Sequence, residues 1–181
     1  GYVMEDADLD AAVDTLMDGA LFNSGQCCCG IERIYVHESL YDAFVEKAVA
    51  WVNKLTLGNP LEEATTLGPM ANVRFADAVR AQIDEAIAEG ATAHIETMAA
   101  DDGGAYLTPQ ILTAVTHEMR VMRHESFGPV AGILPVKGDE TASTCVTVTQ
   151  GGRHRADAAH QQRAGQGGRP GPPAAPRPPT P

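Results

Sequence analysis

The stretch FNSGQCCCGIERIYVHESLYDAFVE, residues 22–46, decides how this chain is read. It places three consecutive cysteines, Cys27, Cys28 and Cys29, directly after Phe22-Asn23-Ser24-Gly25-Gln26. Such a triplet has few physical uses. Neighbouring cysteines rarely bring their Cβ atoms into disulfide geometry without strain. A zinc site wants a second, spaced cysteine cluster, and none follows. Two uses stay open: small hydrophobes packed beside a tight turn, or one thiolate held as a nucleophile among soft neighbours. The residues alone do not choose among the three sulfurs.

Working outward, Leu9, Ala12, Val13, Leu16, Ala20 and Leu21 recur at helical spacing, with Asp10, Asp14 and Asp18 on the opposite face and Asp8 as N-cap. The helix ends near Asn23-Ser24-Gly25, so the cysteines lie in a turn before a strand at about Arg33–Val36. Ser39 followed by Asp42 reads as a capping box, opening a helix that turns Leu40, Phe44, Val45, Ala48 and Val52 inward. Gly58-Asn59-Pro60 breaks that pattern. Asn72 caps a third helix with Phe75, Val79, Ile83 and Ile87 as its apolar stripe and Gly90 as its stop. Strands follow at Ala93–Ile95, Gln110–Val115 and Val130–Val136, with Asp101-Asp102-Gly103-Gly104 as a turn. Alternating helices and strands predict an α/β layer arrangement, and no internal repeat is visible.

The 181 residues do not have one character throughout. From Thr149 to Pro181 there is no Val, Ile, Leu, Met, Phe, Tyr or Trp, and seven prolines stand between Pro170 and the end. That stretch cannot bury enough apolar surface to offset its ordering entropy, so it is expected to be disordered. Residues 1–140 carry 8 basic and 23 acidic side chains, net −15, and residues 141–181 carry five arginines and Asp157, net +4, together the −11 of the whole chain. An acidic body argues against nucleic acid as a partner, and the arginines of the tail lack the interleaved aromatics of a single-strand binder. No apolar run is long enough to span a membrane and no signal-peptide pattern is present. Free adjacent thiols suit a reducing compartment, which makes a cytoplasmic location the expectation. His37, His117 and His124 have no metal-ligand spacing and are expected at the solvated surface; no metal site is expected.

With its flanks, the cysteine segment resembles the nucleophile segment of the NAD(P)-dependent aldehyde dehydrogenase superfamily. The resemblance runs from about Gly1 to about Ala142. It takes in Gly58-Asn59-Pro60, Gly68-Pro69 and Glu125-Ser126-Phe127-Gly128-Pro129-Val130. It implies an α/β fold: a partial aldehyde dehydrogenase catalytic domain with an open, mostly parallel sheet and flanking helices over residues 1–142, plus a Gly/Pro/Arg-rich disordered tail over 143–181. It implies that Cys28 is the catalytic nucleophile and that its backbone N–H is one oxyanion donor. Glu125 is implied to bind the nicotinamide ribose hydroxyls of NAD or NADP, and Phe127 to flank that ribose. The implied reaction takes an aldehyde to a carboxylic acid through a cysteine thiohemiacetal and thioester. One physical tension stands beside this: a cysteine just past a helix C-terminus faces the negative end of the dipole, and Arg33 is the nearest cation in sequence.

The family's general-base glutamate, oxyanion-hole asparagine, cofactor-binding lysine and dinucleotide-binding fold would precede Gly1, and its oligomerisation arm would follow residue 142. The family is homo-oligomeric. The 181-residue chain is therefore expected to bind NAD(P) weakly or not at all and to be inactive alone; the alternative is a non-catalytic remnant that docks to an intact relative. The abrupt change near Ala142 looks like a reading-frame change. Residues 1–142 are expected to be marginally stable, with Val130–Val136 presenting an unpaired edge.

Overall fold

A computed structural model describes residues 1–138 and 141–142; the expectations for the tail lie outside the described residues. The elements in chain order are β1 (Tyr2–Val3), α1 (Leu9–Leu21), a short 3-10 turn (Phe22–Gly25), β2 (Arg33–His37), α2 (Tyr41–Val52), α3 (Val73–Ala88), β3 (Thr92–Ala93), β4 (Gln110–Thr113), α4 (Arg120–Arg123) and β5 (Val130–Val136). The strands form one sheet in the order β1-β2-β5-β4-β3. All neighbours are parallel except the β3–β4 pair. This is the α/β layer arrangement that the alternation of elements predicts, with the open, mostly parallel sheet that the resemblance implies.

The expected unpaired edge at Val130–Val136 is wrong. That segment is the central strand, with Ile133 opposite Ile34 of β2 and Ala131 opposite Ile111 of β4. Val130–Ile133 are buried on both faces of the sheet, which is why this part of the strand carries no alternation, and only towards its end does Pro135 reach the surface. Side chains on the two faces feed two cores. On one, Ile34, Val36, Ile111, Ala131 and Ile133 meet Val13, Met17, Phe44 and Ala48 of α1 and α2. On the other, Leu112 and Val130 meet Ala76, Val79 and Ile83 of α3, together with Met119 and Met122. Helices thus cover both sides, as a parallel sheet requires.

Local chemistry starts two of the helices where the sequence places them. Asp8 Oδ1 accepts from the Ala11 amide at 3.1 Å, and Asn72 Oδ1 accepts from the Phe75 amide at 3.0 Å. Ser39 does not cap α2. The chain leaves β2 through a tight turn closed by the Leu40 amide on the His37 carbonyl at 2.9 Å, so Leu40 takes the cap position with no side-chain bond. The Ser39 hydroxyl instead pairs with His37 Nδ1 at 2.8 Å. On α3 the buried face is Ala76, Val79, Gln82, Ile83 and Ala86, and Phe75 and Ile87 are 42% and 44% exposed. Small side chains win there because the backbone at Gly128 comes against α3: a Cβ on Gly128 would stand 2.5 Å from Val79 Cγ2. β4 stops at Thr113 rather than Val115 because Ala114 takes a left-handed φ of 53°, which no ladder continues. His117 is half-buried rather than solvated. Its ring stacks on Tyr35 with centroids 5.8 Å apart, and Nε2 lies 3.1 Å from the Tyr35 hydroxyl.

The turn after Met98 is built on one carboxylate. Asp101 Oδ2 accepts from the Thr108 amide at 2.7 Å, and Oδ1 accepts from Arg80 Nη2 at 3.0 Å and from the Gly103 amide at 3.3 Å. Burial alone would raise this acid, but the Thr108 amide and hydroxyl, Arg80 and the Gly103 amide outweigh it and hold Asp101 below its ordinary value. A depressed carboxyl stabilises the fold above its unfolded pKa of about 3.9 and loses that contribution as pH falls through the lower folded value. The apparent melting temperature should therefore drop on acidification below about pH 4, and the drop should be shallower in Asp101→Asn, which should cost about 2 kcal/mol at pH 7. Melts from pH 2 to 7 check it; parallel curves for the two proteins would refute the assignment.

Candidate active site

Three sequence segments far apart in the chain converge at the end of α1. The first is the cysteine loop. After Leu21 the backbone passes through left-handed Asn23 (φ 52°), Ser24 (φ 57°) and Gly25 (φ 71°). Consecutive left-handed L-residues are costly and persist only when side chains over-determine them. Here they do. The Asn23 side-chain amide donates to the Gln26 carbonyl at 3.1 Å, and the Gln26 side-chain amide donates back to the Asn23 carbonyl at 3.0 Å. The cysteines follow in a turn closed by the Gly30 amide on the Cys27 carbonyl at 2.9 Å, and the Ile31 amide ties the loop's exit to the Gly19 carbonyl of α1 at 3.1 Å. That last bond satisfies one of the orphan carbonyls at the helix end.

The second segment is Gly68–Ala71. The Ser24 hydroxyl donates to the Gly68 carbonyl at 2.6 Å, and Gln26 Oε1 accepts from the Ala71 amide at 2.7 Å. The third is Glu125–Val130. Gly25 lies so close to it that an added Cβ would sit 2.1 Å from the Gly128 carbonyl oxygen. Only glycine permits both that approach and the φ of 71°.

Glu32 and Arg33, at the start of β2, make the strongest link between the first and third segments. Glu32 Oε1 accepts from the Ser126 amide at 2.8 Å, the Ser126 hydroxyl at 2.9 Å and the Phe127 amide at 2.9 Å. Arg33 donates from Nε to the Met122 carbonyl at 2.6 Å and from Nη2 to the His124 carbonyl at 3.1 Å. The nearest cation in sequence is thus committed to the end of α4, and it has no hydrogen bond to a sulfur among the described residues. Neither role is legible from the motif, because each partner stands about ninety residues away. The side chain of Glu32 is only 15% exposed, so Glu32→Ala leaves two amides and a hydroxyl without their charged acceptor. The expected cost is about 3 kcal/mol in denaturant melts, with faster hydrogen exchange at the Ser126 and Phe127 amides. An unchanged midpoint would sink this role.

The sequence-derived residues fall as follows. Cys28 and Cys29 are exposed and Cys27 is half-buried, so the triplet is not a set of core hydrophobes. Cys27 Sγ and Cys29 Sγ stand 3.3 Å apart. The Cys29 backbone N–H, then its thiol, lower the Cys27 thiol below its ordinary value, while hydrogen bonding to Cys27 raises Cys29. Glu125 is exposed, and its carboxylate has no hydrogen bond or ion pair among the described residues. Phe127 is 42% exposed on a left-handed backbone with φ 53°. The segment bearing Glu125 and Phe127 is therefore fastened to the cysteine loop through Glu32, while those two side chains are left uncommitted.

The sequence model of the Aldehyde dehydrogenase family matches residues 1–156. The chain belongs to that family. It is 43% identical over 131 residues to 3-sulfolactaldehyde dehydrogenase of Priestia aryabhattai, covering 72% of this chain and 27% of that enzyme. It is 38% identical over 165 residues to the succinate-semialdehyde dehydrogenase [NADP(+)] of Mycolicibacterium paratuberculosis, covering 89% of this chain and 35% of that one. Among solved structures, betaine aldehyde dehydrogenase of Staphylococcus aureus in complex with NAD+ superimposes with a TM-score of 0.77 at 30% identity, over 82% of this chain and 30% of the other. The chain spans about a third or less of the length of the curated relatives named here. The relatives are oxidoreductases acting on aldehydes, and no helix among the described residues is long and apolar enough to cross a membrane.

Proposed function

We propose that this chain carries the nucleophile and nicotinamide-ribose parts of an NAD(P)-dependent aldehyde dehydrogenase, which oxidises an aldehyde to a carboxylic acid in the cytoplasm. The observation that carries the reading is the Glu32 carboxylate, which binds the cysteine loop to Ser126 and Phe127. Cys28 Sγ attacks the aldehyde carbon to form a thiohemiacetal, and the Cys28 backbone N–H steadies the oxygen that gains charge. The thioester that follows is hydrolysed to the acid. When bound, the nicotinamide cofactor supplies the hydride acceptor. Glu125 suits the ribose end of that cofactor because an uncommitted carboxylate accepts from two adjacent hydroxyls at once. Phe127 offers an exposed aromatic face beside it.

The rest of a dinucleotide needs a phosphate cradle, and the sequence has no glycine-rich phosphate loop. The 181-residue chain alone should bind NAD or NADP weakly, with little heat in calorimetry at millimolar cofactor. Tight binding would overturn that part of the reading. The nucleophile is tested separately, with an activated acyl ester that needs no cofactor. Mass spectrometry should find the acyl group on Cys28. An equal spread over Cys27, Cys28 and Cys29 would remove the assignment and leave the chain a binding or docking fragment.

A further inference from the structure

The mechanism uses one sulfur of three, and the other two are the pair in contact. Cys27 and Cys29 are the first and third residues of the turn closed by the Gly30 amide on the Cys27 carbonyl, which folds them towards each other until their sulfurs are 3.3 Å apart. Both are reachable from solvent, Cys27 half-buried and Cys29 exposed. The loop is held in this shape by bonds to Gly19, Gly68 and Ala71 rather than by the cysteines themselves. Reaching a disulfide bond length of about 2.05 Å asks the two sulfurs to close by roughly 1.2 Å.

We propose that Cys27 and Cys29 are a modification site for hydroperoxides, which convert the pair to an intramolecular disulfide and leave the Cys28 thiol reduced. The Cys27 thiolate attacks a peroxide oxygen. The S–O bond forms as the O–O bond breaks, and the departing alkoxide or hydroxide takes up the proton that Cys27 released. The Cys29 sulfur then displaces the oxygen from the Cys27 sulfenic acid, which leaves as water. Two thiols lose two electrons in all, and the peroxide becomes an alcohol and a water, or two waters. The division of labour matches the local chemistry, since hydrogen bonds from Cys29, with a smaller one from the Cys28 thiol, favour the thiolate on Cys27, and the bond to Cys27 keeps Cys29 protonated. A disulfide across a single intervening residue is strained and exposed, so thiols reduce it easily. The pair would then consume oxidant reversibly beside the proposed nucleophile. This inference stands apart from the proposed dehydrogenase chemistry, because neither cofactor nor aldehyde enters it.

The test uses the reduced 181-residue chain and hydrogen peroxide, quenched with N-ethylmaleimide and digested with trypsin. No Lys or Arg precedes Arg33, so one peptide, Gly1–Arg33, holds all three sulfurs, and Cys145 leaves on another. The expected product is that peptide lighter by two hydrogens with a single maleimide, on Cys28. Cys27→Ser and Cys29→Ser should each abolish it, and Cys28→Ser should keep it. The same linkage should form at least about tenfold more slowly in guanidinium, where the turn no longer holds the sulfurs together. A disulfide through Cys28, a disulfide between chains, over-oxidised Cys28 beside a reduced pair, or equal rates with and without denaturant would each overturn the proposal.

Discussion

Cys28→Ser should reduce acyl transfer from an activated ester by at least about 100-fold, or about 2.7 kcal/mol of barrier, while Cys27→Ser and Cys29→Ser change it by less than about threefold. The asymmetry follows from the turn. Cys28 is exposed, whereas the sulfurs of Cys27, half-buried, and Cys29 stand 3.3 Å apart and engage one another. A serine hydroxyl at position 28 keeps the shape but is barely ionised near neutral pH, and nothing in the loop acts as a base to activate it. Burst amplitudes with a chromogenic ester measure the effect, and acyl mapping confirms the residue. Equal losses from all three substitutions would mean that the cysteines act through the conformation of the loop, and the nucleophile would have to be sought elsewhere.

Gly25→Ala should be the most damaging single change to the site's architecture. Two costs add. A φ of 71° puts an alanine in the left-handed region, at about 1–2 kcal/mol. The new methyl would also stand 2.1 Å from the Gly128 carbonyl oxygen, and that neighbour is backbone, which cannot rotate away. Relief requires separating the cysteine loop from the Glu125–Val130 segment, against the three bonds to Glu32. The total should be roughly 3–4 kcal/mol, among the larger effects of point mutations. Gly103→Ala is the internal control, since Gly103 also has a positive φ, 82°, but nothing within 4 Å of its added methyl. It should cost only the conformational part. Matching melting temperatures for the two variants would show that the close approach at Gly25 contributes nothing.

Much of this molecule is legible in short stretches of sequence because the responsible forces act over a few residues. Asp8 and Asn72 cap their helices through bonds to amides three residues away, and that chemistry is complete wherever the residues occur. The run Val130–Val136 reads as a strand because it is a short apolar run that starts directly after the Gly128-Pro129 break. The position of Cys27, Cys28 and Cys29 in a turn follows from the helix ending before them. Ser39 failed as a cap because the competing His37 contact and the turn out of β2 decide the geometry there.

What only the tertiary structure decided is how distant segments meet. Glu32 finds its acceptor role 94 residues along the chain, and Gln26 its partner 45 residues along, with no local periodicity to announce either. The buried face of α3 depends on the backbone at Gly128 arriving against Val79, so its stripe is set by a neighbour rather than by its own pattern. The central place of β5 in the sheet depends likewise on β2 and β4, which pair along both of its sides. Hydrogen bonds and close packing act through space and carry no sequence period, so the chain's local pattern names the elements while their contacts create the site.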